Sequence, residues 1–395
     1  LYGSVSSNYS GGDGGGALII GSTVYFGPTT LRGNQARGDG GGLALRDSQI
    51  TSHTVYSPHL DGNIAAGQGG AIAQRGGESH FPIVYLTGNS ASSHGGGMAL
   101  LEGGVLPAPL VGGSNRAAGG SGHLFCQDSS ATVWGTFNSN KAGLDGGAIA
   151  IDEGCDLTLS EAQLSSNTAL EGFGGAIAVK AEGTLEGADL RLTDNVASLG
   201  GALSVAVHGD AWVSQAFLQN NIGGTGRDIF TMGTTTLGHS LIAPSTQADN
   251  GENGAALSQY HGYLNLWNSI LEEPRESVTV LERLGGDLNL GGNVLDGNLE
   301  GAGLDLGEIE ATNHLGSADL LVEDWSSFYT SDPHLSLTSP AIDLGVPWDC
   351  RESDAEGGEG NGLCLDVDGS PPAAGLFGGP LGDVLDWDHD HRPAY

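Results

Sequence analysis

A chain of 395 residues with 70 glycines, 47 acidic against 13 basic residues and a formal net charge of -34 excludes several classes at once. Such a charge repels nucleic acid and anionic membrane, because contact releases no counterions, while 38% hydrophobic residues argue against both collagen and disorder. No run approaches the roughly 18 apolar residues that cross a bilayer, and the first residues show neither a basic start nor a hydrophobic signal core.

Along the chain an Asn recurs as Asn8, Asn34, Asn63, Asn89, Asn115, Asn140, Asn167, Asn195 and Asn221, at intervals of 25 to 29 residues. A fixed period of this length marks units that bury their apolar faces only against neighbours. One elongated body is therefore expected rather than two or three globular domains. The chain opens inside a repeat, with "VSSN" at 5–8 and "GGGALII" at 14–20. That opening predicts upstream residues that were cleaved, trimmed or left out, and an uncapped end exposes strand edges.

The unit "GGAIAIDEGCDLTLSEAQLSSN", 146–167, breaks into three short runs with period-two alternation. Alternation means strands, and three strands with three corners in about 26 residues describe one coil of a parallel β-helix, right-handed by the usual crossover rule. The predicted class is all-β, a solenoid with a loop-rich C-terminal segment. Its regular repeats run over 1–232, degenerate coils over 233–331 and an acidic cap or anchor-like region over 332–395.

Two inward columns are expected: Leu18, Leu43, Ile72, Met98, Ile149, Ile177 and Leu203, then Ile20, Leu45, Gln74, Leu100, Ile151, Val179 and Val205. Gln74 breaks the second and is expected at its edge. The alternate positions carry small residues, first Ala17, Gly42, Ala71, Gly97, Ala148, Ala176 and Ala202, then Ile19, Ala44, Ala73, Ala99, Ala150, Ala178 and Ser204. They are expected to face out. Of these, Ala44, Ala73, Ala99, Ala150 and Ala178 form a candidate interface with another sheet or a covering segment, unless they merely ease the corner.

Asn34, Asn63, Asn89, Asn140, Asn167, Asn195 and Asn221 are expected to stack as a structural ladder, since Asn accepts tight corners and its amides bond along a stack. Cys126 and Cys155 lie 29 residues apart, close to one repeat, and Cys350 and Cys364 bracket an acidic loop. Two disulfides are predicted, which implies export, with buried thiols as the alternative.

The elements "GGAI" at 69–72, 146–149 and 174–177, "GGAL" at 200–203 and "FNSN" at 137–140 resemble the GGAI and FxxN repeats of chlamydial polymorphic outer-membrane proteins, though most Asn elements here begin with Leu. The likeness spans roughly 1–232 and implies a surface-exposed, adhesive β-helix. Farther on, "SPAIDLG" at 339–345, "DVDGS" at 366–370 and "GLFGGP" at 375–380 resemble bacterial β-helix proteins with a choice-of-anchor C-terminal region, implying export and surface attachment. No sorting tail is visible, so residues beyond Tyr395 are expected.

Oxygen ligands at alternate positions wrap calcium, which makes Asp386, Asp388 and Asp390 of "LDWDHDH" the leading metal candidate and Asp366 with Asp368 a weaker one. His389 and His391 leave a transition metal open, and a solvated acidic tail is the plain alternative. Catalysis finds less support. The position before each glycine pair reads Asp39, Gln68, His94, Asp145, Phe173 and Leu199, which is no acidic cluster, and Arg46 with Arg75 near Asp47 reads as a surface salt bridge. The expectation is an exported, cell-surface or extracellular, structural or adhesive protein without catalysis. It would use calcium and bind a surface glycan or protein, or itself. A glycan-active lyase or hydrolase and a self-assembling filament are the alternatives.

Overall fold

The computed structural model describes residues 2–52, 57–243, 254–272, 279–301, 304–310, 312–316, 320–321 and 334–335. One coil shows how the sequence builds the rest. A short strand follows the glycines at Ile149–Ile151, a turn leads into a long strand at Asp156–Ser165, Asn167 turns the chain into a two-residue strand at Thr168–Ala169, and a loop returns to the next glycine strand at Ile177–Val179. Like strands stack in parallel into a glycine sheet of 12 strands, a wide sheet of 19 and a narrow sheet of 9. The molecule is an all-β parallel solenoid. Leu320–Leu321 and His334–Leu335 form an antiparallel pair.

Register is kept from coil to coil. Ile149 pairs with Ile177, which pairs with Leu203, then Ile229, Leu257 and Leu281, so the same face turns inward each time. These residues are fully buried in one continuous cluster running along the axis. Each buried Leu or Ile contributes about 1.5–3 kcal/mol, a gain that depends on the next coil being present.

Three expectations require correction. In the first coil Ala17 and Ile19, not Leu18 and Ile20, enter the inward columns, because Ala17 pairs with Leu43 and Ile19 with Leu45. Leu18 and Ile20 are 46% and 59% exposed. The repeat is keyed by its left-handed glycine: Gly14 at φ 67° matches Gly40 at φ 68°. Alignment on apolar residues slips by one, and with a period of two that slip exchanges the faces.

Gln74 does not lie at an edge. It is fully buried in its column, and its Nε2 donates to the carbonyls of Gly77 at 3.0 Å and Val105 at 3.2 Å. Gln259, farther along the same column, repeats this with Gly262 at 3.3 Å and Asp287 at 2.7 Å. The turn carbonyls supply the partners that a buried amide needs.

The first small-residue column points inward: Ala71, Ala148, Ala176 and Ala202 belong to the main core. The second, apart from Ile19, does face outward, yet Ala44, Ala73, Ala99, Ala150 and Ala178 are all buried. Ala99 and Ala150 join Leu101 and Phe125 in a separate cluster. The cover comes from the chain's own returning loops, since a Cβ on Gly146 would stand 2.9 Å from the Ala150 Cβ, and one on Gly69 would stand 2.8 Å from the Ala73 nitrogen. Small side chains are needed there for the loop to close.

The Asn residues form an unbroken file from Asn8 to Asn221 that includes Asn115. The backbone N–H and the Nδ2 of each donate to the Oδ1 of the next, at 3.0 Å for both in Asn167 to Asn195. Nδ2 also reaches a strand carbonyl one coil back, as Asn63 does to Leu31 at 2.9 Å. At the end Asn221 donates to Asp228 Oδ1 at 2.8 Å, and Asp228 Oδ2 accepts from Arg227 Nε at 2.8 Å, with both residues buried. Arg227 and Asp228 occupy the register of Gly201 and Ala202 one coil earlier.

A second file begins at another corner, the bend within the wide sheet. There the Ala216 N–H donates to Ser240 Oγ at 3.0 Å, the Ser240 N–H to Ser269 Oγ at 3.2 Å, the Ser269 N–H to Asn293 Oδ1 at 2.9 Å and the Asn293 N–H to Asn313 Oδ1 at 3.0 Å. Asn313 Nδ2 in turn donates to the Ile309 carbonyl at 2.8 Å. Ile309 lies in the short helix Leu306–Glu310 and enters the core, so this helix covers the last described coil.

Candidate functional site

Two outer faces carry chemistry-bearing side chains. On the glycine sheet, the position before each left-handed glycine is a row in which the Asp and His side chains serve the next coil, while the Gln68 Oε1 is buried without a hydrogen-bond partner. Asp13 Oδ1 accepts the Asp39 N–H at 2.9 Å, Asp39 Oδ1 the Gln68 N–H at 2.8 Å, His94 Nδ1 the Gly120 N–H at 2.9 Å and Asp145 Oδ1 the Phe173 N–H at 3.0 Å. The second carboxylate oxygens pair with cations on the strands. Arg46 meets Asp13, Arg75 meets Asp39 at 2.8 Å and also Glu102, and Lys180 lies 3.3 Å from Asp152 and 3.8 Å from Asp145. The partners of Arg46 and Arg75 are thus Asp13, Asp39 and Glu102, while Asp47 sits in the following left-handed turn at φ 48°.

This row is a stitch between coils, with its acids engaged. The His94 ring stacks on Phe125 with centroids 4.6 Å apart, and burial followed by the nearby Lys180 charge holds its pKa below the ordinary value.

The wide sheet offers the broader surface. One outward column runs Thr132, Thr158, Glu186, Trp212, Thr236, Asn265 and Asn289, and its neighbour runs Ser130, Asp156, Thr184, Asp210, Thr234, Tyr263 and Asp287. Parallel strands repeat about every 4.8 Å, so these columns form a flat array of hydroxyls, amides and carboxylates. Side chains within it bond along the axis: Asn289 Nδ2 donates to Asn265 Oδ1 at 2.7 Å and Asn265 Nδ2 to Thr236 Oγ1 at 3.0 Å. Trp134 and Tyr263 project from the array with exposed rings, and His59 lies flat on Tyr85 at 4.4 Å nearer the first coil.

At the bend of this sheet Glu161, Asp189, Gln215 and His239 stack, all left-handed, with φ between 46° and 55°. The Asp189 carboxyl is pushed up by burial and then by the Glu161 charge. One Asp189 oxygen and the Gln215 Nε2 are buried without a hydrogen-bond partner.

Cys126 and Cys155 are joined, with S–S 1.97 Å and Cα–Cα 5.8 Å, across adjoining coils and wholly inside the core. Cys350, Cys364, Asp366, Asp368, Asp386, Asp388 and Asp390 lie outside the described residues. Among the described residues no group of three or more His, Cys, Asp and Glu is placed to hold a metal ion.

Sequence reasoning missed His123. It occupies the inward position held by Ala148 one coil later. Its ring is fully buried edge-on to Phe137 at 5.0 Å, with Nδ1 3.0 Å from the Asn115 amide. Gly112 makes room, standing where the adjoining coils have Leu86 and Phe137; a Cβ there would lie 2.8 Å from the ring. Nε2 has no partner, and burial lowers the pKa from 6.5 to about 4. The signal was present: "VGGSN" at 111–115 lacks the apolar residue of the Asn motif, and "GHL" at 122–124 lacks the small one.

Comparison with protein-family models, curated proteins and solved structures finds no match to this chain. The class that fold and faces define is a parallel β-solenoid with a disulfide between neighbouring coils.

Proposed function

We propose that the chain is an exported structural or adhesive rod, acting at a cell surface or outside the cell, that presents the wide sheet to an extended glycan or protein ligand. The observation that carries this reading is the Cys126–Cys155 bridge inside the core, because such bonds form and persist in oxidising compartments. The side-chain files support the rod, since each coil is stapled to the next by buried hydrogen bonds. The flat polar array with projecting aromatic rings supports the ligand face, as sugars are held by hydrogen bonds along their edges and apolar contact on their faces. The repeat likeness to polymorphic outer-membrane proteins points the same way. We further assign calcium to Asp386, Asp388 and Asp390, with Asp366 and Asp368 as a second set, where it would offset part of the surplus negative charge.

A glycan array probed with the purified chain tests the reading. Binding of intact polymer without new reducing or unsaturated ends is expected, and Trp134→Ala with Tyr263→Ala should weaken it at least tenfold. Polymer cleavage would overturn it. That result would favour the second reading, a glycan-active enzyme, for which the Glu161 and Asp189 carboxylates on neighbouring coils are the supporting observation: one is kept more readily protonated, as acid and base pairs require. Activity lost in both Asp189→Asn and Glu161→Gln would then locate the chemistry.

A further inference from the structure

The loops that lead from the narrow sheet back to the glycine strands carry a surface that neither the side-chain files nor the ligand face employs. Lys141–Ala142 and Thr168–Ala169 are neighbouring narrow strands in mid-solenoid. Beyond them the chain continues side by side in the two coils: the Leu170 N–H donates to the Ala142 carbonyl at 3.0 Å, the Glu171 N–H to Gly143 at 3.1 Å and the Gly146 N–H to Phe173 at 2.8 Å. The two loops are thus held as one surface. From it project Leu144, Leu170 and Phe173, 47%, 53% and 37% exposed, and Phe173 bridges to the half-buried Leu199 of the next coil.

Charge decides which partner this surface accepts. On a body of formal charge -34, the outward narrow-sheet column beside it reads Ser90, Arg116, Lys141, Thr168, Val196 and Ile222, with no acid. Like-charge repulsion between copies is relieved there. Lys141 is half-buried and Glu171 exposed, and among the described residues neither takes part in an ion pair. Lys141 stands in register with Thr168, three residues before Glu171, so Leu170 falls between the two charges. A partner must therefore bring an acid to Lys141 and a base to Glu171 around an apolar centre. A second copy turned about a two-fold axis brings both at once, because the axis that sets Glu171 over Lys141 also sets Lys141 over Glu171.

We propose that this patch is a homophilic docking surface on which a second copy of this chain packs side by side about a two-fold axis. Leu144, Leu170 and Phe173 of the two copies meet at the centre, and two reciprocal Lys141–Glu171 pairs form at the rim, the division of apolar core and polar edge usual in such contacts. A contact of this symmetry closes at two copies. It uses none of the wide-sheet residues, so it stands or falls apart from the ligand reading above.

Sedimentation velocity and light scattering on the full chain test it over a range of concentrations. A species of twice the 40.0 kDa chain mass is expected. Lys141→Glu alone and Glu171→Lys alone each set like charges against each other and should weaken the dimer at least about tenfold, with an unchanged circular dichroism spectrum. The two substitutions together exchange the charges and should restore it, a recovery that a folding defect would not give. Leu170→Asp should also weaken the dimer, and Thr158→Lys on the wide sheet should leave it intact. A chain that stays monomeric up to its solubility limit would overturn the proposal. So would a dimer indifferent to both single substitutions, a loss that the charge exchange does not repair, or masses that grow past two copies.

Discussion

The coils from Asn34 to Asn221 and those from Ser240 to Asn313 solve one problem at two corners. In the first group the staple follows Leu164, Ser165 and the left-handed Ser166; in the second it follows Leu266, Trp267 and the left-handed Asn268. The local device is the same: an inward apolar residue, two residues of turn with the second at positive φ, then a side chain that accepts the N–H one coil back. The files overlap in a single coil, where Asn221 closes one and the Ala216 N–H opens the other through Ser240. A coil thus needs a polar staple, and either corner can supply it.

Breaking the junction between the groups should have the largest effect. Asp228→Ala removes the acceptor for Asn221 and leaves the buried Arg227 charge without its carboxylate. Truncating one partner of a buried pair costs about 3–5 kcal/mol. Chemical denaturation should show that loss, and two transitions should replace one if the coils on either side then unfold separately. A change below 1 kcal/mol would show that Asp228 does not hold the groups together.

Next comes acid. His123 lies within the first group and is neutral when folded, with a pKa of about 4 against the ordinary 6.5. Between these values the unfolded chain binds a proton that the folded chain does not, so stability falls as pH drops from 6.5 toward 4. The full shift corresponds to about 3 kcal/mol. His123→Leu should flatten that part of the profile, while the second group keeps its own pH response. An unchanged slope in the variant would place the acid sensitivity elsewhere.

Much of this was legible in the sequence. The Asn spacing and the period-two runs define the coils, and Cys126 and Cys155 sit one repeat apart. Three kinds of feature were not legible. Register in the first coil depends on which of three glycines is left-handed, and apolar pattern alone misassigned Leu18 and Ile20. The burial of Ala44 and Ala150 follows from a loop folding back over the sheet, which local pattern does not encode. His123 and Gly112 make sense only as a pair, a missing side chain on one sheet filled from another. The candidate ligand face was invisible for a related reason: Thr158, Glu186 and Trp212 look unrelated along the chain and become one column only when coils are stacked.

The two files themselves offer the finest test. Asn167 accepts from both the N–H and the Nδ2 of Asn140 and also donates to Asn195 and to the Phe137 carbonyl. Asn167→Ala orphans two donors in Asn140 and should cost about 2–4 kcal/mol, given the penalty for each buried group left unsatisfied. Ser269 accepts one N–H, from Ser240, and donates to the Trp267 carbonyl. Ser269→Ala orphans one donor and should cost about 1–2 kcal/mol. Equal losses at the two positions would mean that corner packing, not the count of orphaned donors, sets the strength of the staple. The reverse substitution sharpens the point: Ser269→Asn restores the longer acceptor in register with Asn293 and should recover or exceed the native stability, provided the bend has room for the amide.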